Sequence, residues 1–317
     1  MNKSSFLRGL LNNEERNIAE YLATWDDLNV FFKTINKSWD FVSNIWRSEK
    51  EINEENKNSF NENVESYLRS NSRHNLYANL YANFLDIFDL ETLTLTEISS
   101  QKELDENFIE LENKAVLFQK EISEEEDDIK NFEGKNFIDL RKYFLEIMVD
   151  KFKEMNNDEQ KKILEEMVQK LNSLSAEELK NFKDKMNIND ITNESVKKIV
   201  LGGGIYSMFA GAVGIIGFPA YIFLTSFIGG ISSIIGITLP FGVYTASTSV
   251  MAFLSAWFWP IILAGGWFFS DKYTTKLRKI FAVASMVSIS FQSYNDVDME
   301  TVNDFIKVYN VRYNLDA

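Results

Sequence analysis

Cysteine is absent from this chain and histidine occurs once, at position 74. The first absence removes disulfides, thiolate metal sites and cysteine nucleophiles, and the second removes two-histidine metal sites. His74 sits in the polar stretch 70–75 beside Arg73 and reads as a surface residue. Proline is missing from the first 198 residues, and glycine occurs there only at Gly9 and Gly134, so almost nothing interrupts a helix. Charge is missing from residues 199–270, where 72 consecutive positions hold no Asp, Glu, Lys, Arg or His.

The uncharged run also contains all 3 prolines and 12 of the 14 glycines. A bilayer-spanning helix needs roughly 20 apolar residues, so the run is long enough for two or three passes, and lipid tolerates glycine and proline in helices better than water does. Before residue 199 there are 27 Lys plus Arg against 41 Asp plus Glu, so the whole net charge of −14 lies in that part. An acidic surface of this kind repels phosphate, which argues against nucleic acid as a partner. The polar run 12–17 follows a short apolar patch at the start of the chain, which therefore lacks the apolar core of a secretory signal.

Residues 1–198 read as an acidic helical cytosolic domain. Apolar residues recur at helical spacing at Ile18, Tyr21, Leu22, Trp25, Leu28, Phe32 and Ile35, and again at Trp39, Val42, Ile45 and Trp46. Further stripes are Phe60, Val64, Tyr67 and Leu68; Leu104, Phe108, Leu111 and Phe118; and Phe137, Leu140, Phe144, Ile147 and Met148. Ile163, Leu164, Met167, Val168 and Leu171 form another, as do Leu179, Phe182 and Met186, the last opened by a capping-box pattern from Ser175 to Glu178. These faces read as the core of a bundle, since burial is what makes amphipathic helices persist. The tandem Leu-Tyr-Ala-Asn at 76–79 and 80–83 places Tyr77 and Tyr81 on one face as a packing ridge. Residues 92–96 alternate Thr and Leu and read as a loop entering a helix near Ile98.

Candidate chemistry is sparse. Glu124, Glu125, Glu126, Asp127 and Asp128 cannot converge on one ion from a helix, and no calcium-loop glycine accompanies them, so they read as a solvated acidic turn. Asp296, Asp298 and Glu300 read the same way. Gly202, Gly203 and Gly204 are not followed by the Lys-Ser or Lys-Thr of a phosphate loop and read as the flexible start of a membrane helix. No carboxylate pair stands apart as acid and base. The expectation is a non-enzymatic protein with no catalytic residue, no cofactor and no metal.

Within the run, Gly204, Ser207, Gly211 and Gly214 stack small side chains on one helix face, the usual surface for helix packing in lipid. Thr245, Thr248, Ser249, Ala252 and Ser255 make a second small face that reads as packing. Lys197 and Lys198 precede the run, and Lys272, Lys276, Arg278 and Lys279 follow it; cations beside spans mark the cytoplasmic side, so both ends are expected there, which favours an even number of passes. Trp267 beside Lys272 resembles an aromatic belt with basic anchors. Two passes joined near Gly229-Gly230 and Ser232-Ser233 fit this pattern, with three shorter passes broken near Pro219 and Pro240 as the alternative. Residues 280–293 are apolar but too short to span, and either lie along the interface or return onto the bundle. The tail carries an amphipathic set at Val302, Phe305, Ile306 and Tyr309. The chain thus divides into 1–198, an acidic helical domain; 199–270, a membrane domain; and 271–317, a basic anchor, interfacial helix and tail. The expected fold is all-α, an acidic soluble bundle followed by a glycine-rich transmembrane hairpin.

Residues 145–290 carry a resemblance. Met155-Asn156-Asn157-Asp158-Glu159, then Phe253-Leu254, Pro260, Gly265-Gly266-Trp267, Tyr273 and the basic stretch 276–279 follow the order of features in a largely uncharacterised bacterial family of YaaW-like proteins, classed with ubiquinol-cytochrome c chaperones. Trp259 stands where that family has a glycine before proline, and Ile280-Phe281-Ala282 where it has Ile-Pro-Ala. The resemblance implies a membrane-linked, non-catalytic role.

Two functions fit. One is a membrane-perturbing or pore-forming effector that inserts the glycine-rich hairpin and oligomerises with its own copies. The other is a membrane-anchored adaptor or assembly chaperone whose acidic domain holds a protein partner. Both take the lipid bilayer as partner, and both place the chain in a bacterial inner membrane with its N-terminal and C-terminal regions in the cytoplasm.

Overall fold

A computed structural model describes residues 4–35, 51–90, 101–125, 130–207, 218–235, 271–293 and 296–313. Among the described residues every regular element is a helix, so the chain is all-α. The first group comprises α1 (Ser5–Asn12), α2 (Glu15–Ile35), α3 (Glu51–Ser70), α4 (Arg73–Ile87) and α5 (Gln101–Glu125). The second holds α6 (Phe137–Glu154), α7 (Asn157–Asn172), α8 (Ala176–Met186), α9 (Asn193–Leu201) and the single turn α10 (Gly204–Ser207). The uncharged run supplies α11 (Phe218–Ile235), and α12 (Asp271–Ser290) and α13 (Met299–Tyr313) close the chain.

Side-chain caps set the helix starts. Ser175 accepts from the Glu178 amide while the Glu178 carboxylate accepts from the Ser175 amide, completing the expected capping box of α8. Asn156 with Glu159 opens α7 in the same way, and Thr192 with Ser195 opens α9. Gly203, at φ +83°, turns the chain left-handed between α9 and α10, so the triple glycine marks a helix break.

The stripes are buried as their spacing requires. Ile18, Tyr21, Leu22 and Trp25 of α2, Phe108 and Leu111 of α5, Leu140, Phe144 and Met148 of α6, and Ile163, Met167 and Leu171 of α7 belong to one core cluster. Helix α2 packs on α3 and α4, α13 lies on α4, and α7 packs against both α9 and α11. The segment at 36–50, with its Trp39 and Trp46 stripe, and the loop at 92–96 lie outside the described residues.

Helix α12 runs through the centre. It contacts α1, α4, α5 and α6, and residues 280–292 are buried without exception. Of the two courses open to 280–293, the structure has the return onto the bundle: a helix apolar on all sides finds that environment only inside a protein core or a bilayer. The amphipathic tail follows suit, with Val302, Phe305, Ile306 and Tyr309 buried. Among the described residues no helix is long and apolar enough to cross a membrane. Helix α11, at 18 residues, extends about 27 Å against a hydrocarbon thickness of about 30 Å.

Candidate functional site

The candidate site is the place where the uncharged run leaves and rejoins the folded body. On the leaving side, Lys197 of α9 donates to Gln160 Oε1 at 2.8 Å, and Gln160 Nε2 donates in turn to the carbonyls of Phe152 and Met155 at 2.9 and 3.0 Å. Lys197 therefore ties α9 to the joint between α6 and α7. Lys198 is exposed, and its carbonyl accepts from the Gly202 amide as α9 ends. Gly204 follows so closely that a Cβ there would lie 3.0 Å from Ile199 Cγ2. Ser207 belongs to α10, but its side chain is not described, and Gly211 and Gly214 lie outside the described residues.

On the returning side, Lys276 pairs with Glu125 at the end of α5 at 3.0 Å, and Lys279 pairs with Asp89 after α4 at 3.1 Å. The two lysine side chains are only 15% and 23% exposed, but their partners Glu125 and Asp89 are 46% and 84% exposed, so these are surface ion pairs. Arg278 is half-buried on the same helix. Trp267 lies outside the described residues, and the side chain of Lys272 is not described. Lys197, Lys276 and Lys279 are thus brought to the protein's own polar groups, from both sides of the uncharged run.

Between these ends, α11 lies on α7 with edges on α6 and α8. Phe223 meets Phe182 with ring centroids 5.7 Å apart, and Phe227 meets Phe152 at 5.6 Å. Gly230 sits on Ile163, where an added Cβ would come within 2.9 Å of Ile163 Cγ2. Phe223, Leu224, Phe227, Ile228 and Ile231 are all fully buried. Part of the uncharged run is therefore core of the helical body.

A second constellation was not marked out in the sequence. Arg8 of α1, Asp105 and Glu112 of α5, and Arg141 of α6 are buried charges gathered around the start of α1. Glu112 Oε1 accepts from the Phe6 amide and the Ser4 hydroxyl, each at 2.9 Å, while Asp105 Oδ1 accepts from the Ser4 amide at 2.8 Å. Two carboxylates thus satisfy the open donors at a helix N-terminus, where negative charge is favoured. Burial pushes the Glu112 carboxyl up to about 7 in spite of these bonds and of Arg141 and Arg8 nearby. Burial also brings Arg141 down to about 10, and its guanidinium lies 5.4 Å from the centre of the Phe291 ring, a cation–π contact with the turn after α12. The signal that finds this cluster is a charge on an apolar stripe: Asp105 and Glu112 are two turns apart on the face that carries Phe108 and Leu111. Chemically the cluster is a clamp that holds α1 to α5 and α6.

His74 lies half-buried in the first turn of α4, edge-on to Tyr77. Among the described residues no group of three or more His, Cys, Asp or Glu side chains is placed to hold a metal ion. No protein-family model, no curated protein and no solved structure matches this chain.

Proposed function

We propose that this chain is a non-enzymatic, membrane-perturbing α-helical protein whose folded body stores part of its membrane segment. The observation that carries the reading is the 72-residue run without charge, far longer than any core helix needs, of which α11 lies packed in the helical body. A segment of that length and glycine content inserts as a hairpin of two helices, with Gly204, Ser207, Gly211 and Gly214 as the face on which spans and copies associate. Its two ends remain on one side of the membrane, the cytoplasmic face of a bacterial inner membrane. The packing of α9 and of α12 into one continuous core supports that topology independently of the flanking lysines.

The test uses the full chain and vesicles of phosphatidylethanolamine and phosphatidylglycerol loaded with a self-quenching dye. Flotation with the vesicles together with dye release is the expected outcome. Replacing Gly211 and Gly214 by Leu is expected to abolish release while leaving flotation intact, because bulk on the packing face blocks association and not insertion. Release that survives this change sinks the packing face. Flotation without any release instead favours the membrane-anchored adaptor, in which the acidic surface holds a protein partner.

A further inference from the structure

The two apolar helices of the C-terminal part are held to the body in different ways. Helix α11 carries no charged residue. Two of its hydroxyls are satisfied within the helix, Thr225 Oγ1 donating to the Tyr221 carbonyl at 2.9 Å and Ser226 Oγ to the Ile222 carbonyl at 2.6 Å. The body meets it with the rings of Phe152 and Phe182 and the side chain of Ile163. Helix α12 is just as apolar in its second half, but its first half is tied by the ion pairs Lys276–Glu125 and Lys279–Asp89. Just past its end, Gln292 Nε2 donates to Asn13 Oδ1 at 2.8 Å in a buried bond, and Phe291 lies under Arg141.

Lipid tails are as apolar as the side chains that face α11, so α11 itself exchanges one apolar environment for another, and the cost of its release is the uncovering of Phe152, Phe182 and Ile163 on the body. Withdrawing α12 breaks the buried Gln292–Asn13 bond and uncovers the Arg141 guanidinium, which is costly, while the two surface ion pairs add little. We infer that α11 is the releasable helix and α12 the retained anchor: resting on the proposed membrane function, insertion requires α11 to leave α7 while α12 stays in the core.

Chain length leads to the same division. Residues 236–270 number 35, all uncharged, whereas two crossings need roughly 40 apolar residues before any turn. Adding α11 and the uncharged residues before it gives residues 204–270, 67 positions, enough for two crossings and a turn and inclusive of Gly204, Ser207, Gly211 and Gly214. With α12 in place the segment returns to the side it left, so a hairpin spanning the bilayer has to draw on α11.

Because the chain has no cysteine, an introduced pair is unique. A Cβ at position 230 lies 3.3 Å from Ile163 Cβ, close to disulfide spacing, so Ile163→Cys with Gly230→Cys links α11 to α7. Circular dichroism establishes that the variant is folded in both redox states. With dye-loaded phosphatidylethanolamine and phosphatidylglycerol vesicles, the oxidised variant is expected to release no dye and the reduced variant to release it as the parent chain does. Release by the oxidised, still-linked variant overturns the inference and leaves the proposed function standing. A parent chain that neither floats nor releases dye sinks the proposed function and the inference with it. A second readout needs one substitution only. The thiol of Ile163→Cys, covered by α11, is expected to react with a charged maleimide once vesicles are added, and a thiol that stays protected while dye escapes overturns the inference.

Discussion

Gly9 of α1 rests on the backbone of Ile289 in α12, so closely that a Cβ at position 9 would lie far inside van der Waals contact distance of the Ile289 carbonyl oxygen. The first helix of the chain thus crosses the central one at backbone contact, with Phe6 packed between Phe84 and Phe108 on one side of the crossing. In an ordinary helix interior Gly→Ala stabilises by roughly 1 kcal/mol through backbone entropy. Here the obstacle is a main-chain carbonyl that cannot swing away, and the sign reverses. Gly9→Ala is expected to destabilise by about 1–3 kcal/mol, as overpacked core positions do. Urea unfolding measures it as a lower midpoint at unchanged slope.

The tandem tyrosines make a sharper test because their local sequences are identical. Tyr77 donates to the Asn13 carbonyl at 2.7 Å and accepts from Arg73 Nε. Tyr81 is stacked on Phe108 at 4.3 Å, and its buried hydroxyl makes no hydrogen bond among the described residues. Tyr77→Phe leaves Arg73 Nε without its acceptor and the Asn13 carbonyl with only the longer 3.3 Å bond from Arg73, and is expected to cost about 1–3 kcal/mol, whereas Tyr81→Phe removes a hydroxyl with no bond among the described residues and is expected to be neutral or to stabilise by up to about 1 kcal/mol. Equal losses at both positions in denaturant unfolding contradict the packing described.

Glu112 gives the stability a pH dependence of defined sign. Its carboxyl is raised by burial from the ordinary 4.5 to about 7, with Arg8 and Arg141 facing it from α1 and α6 and Asp105 on its own helix. The folded chain therefore keeps a proton on Glu112 where the unfolded chain has lost it. That contribution is complete below about 4.5 and is lost as pH rises towards 7. Glu112→Gln preserves an acceptor for Phe6 and Ser4 and removes the titration, so its stability is expected to match the parent near pH 5 and its profile between pH 5 and 8 to be flatter. Glu112→Ala leaves the Phe6 amide and the Ser4 hydroxyl without acceptors and is expected to cost about 3 kcal/mol or more at any pH in that range. Equilibrium unfolding of the three proteins across the range decides it.

Helical spacing made the all-α class legible, and the apolar stripes named the core residues of α2, α5, α6 and α7 because a period of 3.6 leaves one face to bury. The Ser175 box was readable because a cap is a local pattern of four residues. The buried clamp was not. Arg8, Asp105, Glu112 and Arg141 come from three helices in a chain that is 25% charged, and although Asp105 and Glu112 sit on the apolar face of α5, nothing local joins them to Arg8 and Arg141. The flanking lysines carried a bilayer signal in sequence, yet Lys276 and Lys279 meet Glu125 and Asp89, which stand more than 150 positions away in the chain. A cation beside an apolar run has the same local pattern whether its partner is a headgroup or a distant carboxylate.

The same long-range packing bears on how the chain can be cut. Residues before 199 form the acidic helical part, but their core faces are covered by the helices C-terminal to them. Tyr81 and Phe108 meet Phe305 and Tyr309 of α13, Trp25 meets Phe281 of α12 at 5.3 Å, and Phe152 and Phe182 meet α11. A chain ending at Lys198 uncovers all of these rings at once, along with Glu112 and Arg141, whose clamp lies against the turn after α12. Each large side chain so exposed forfeits about 1.5–3 kcal/mol of burial, against a total stability of about 5–15 kcal/mol for a domain. Residues 1–198 expressed alone are therefore expected to keep helical far-ultraviolet dichroism but to lose a cooperative thermal transition and to bind a hydrophobic dye, the signature of a bundle without fixed packing. A sharp transition with no dye binding means instead that α1 to α8 with the start of α9 form a self-sufficient core, and that α11, α12 and α13 are additions to it.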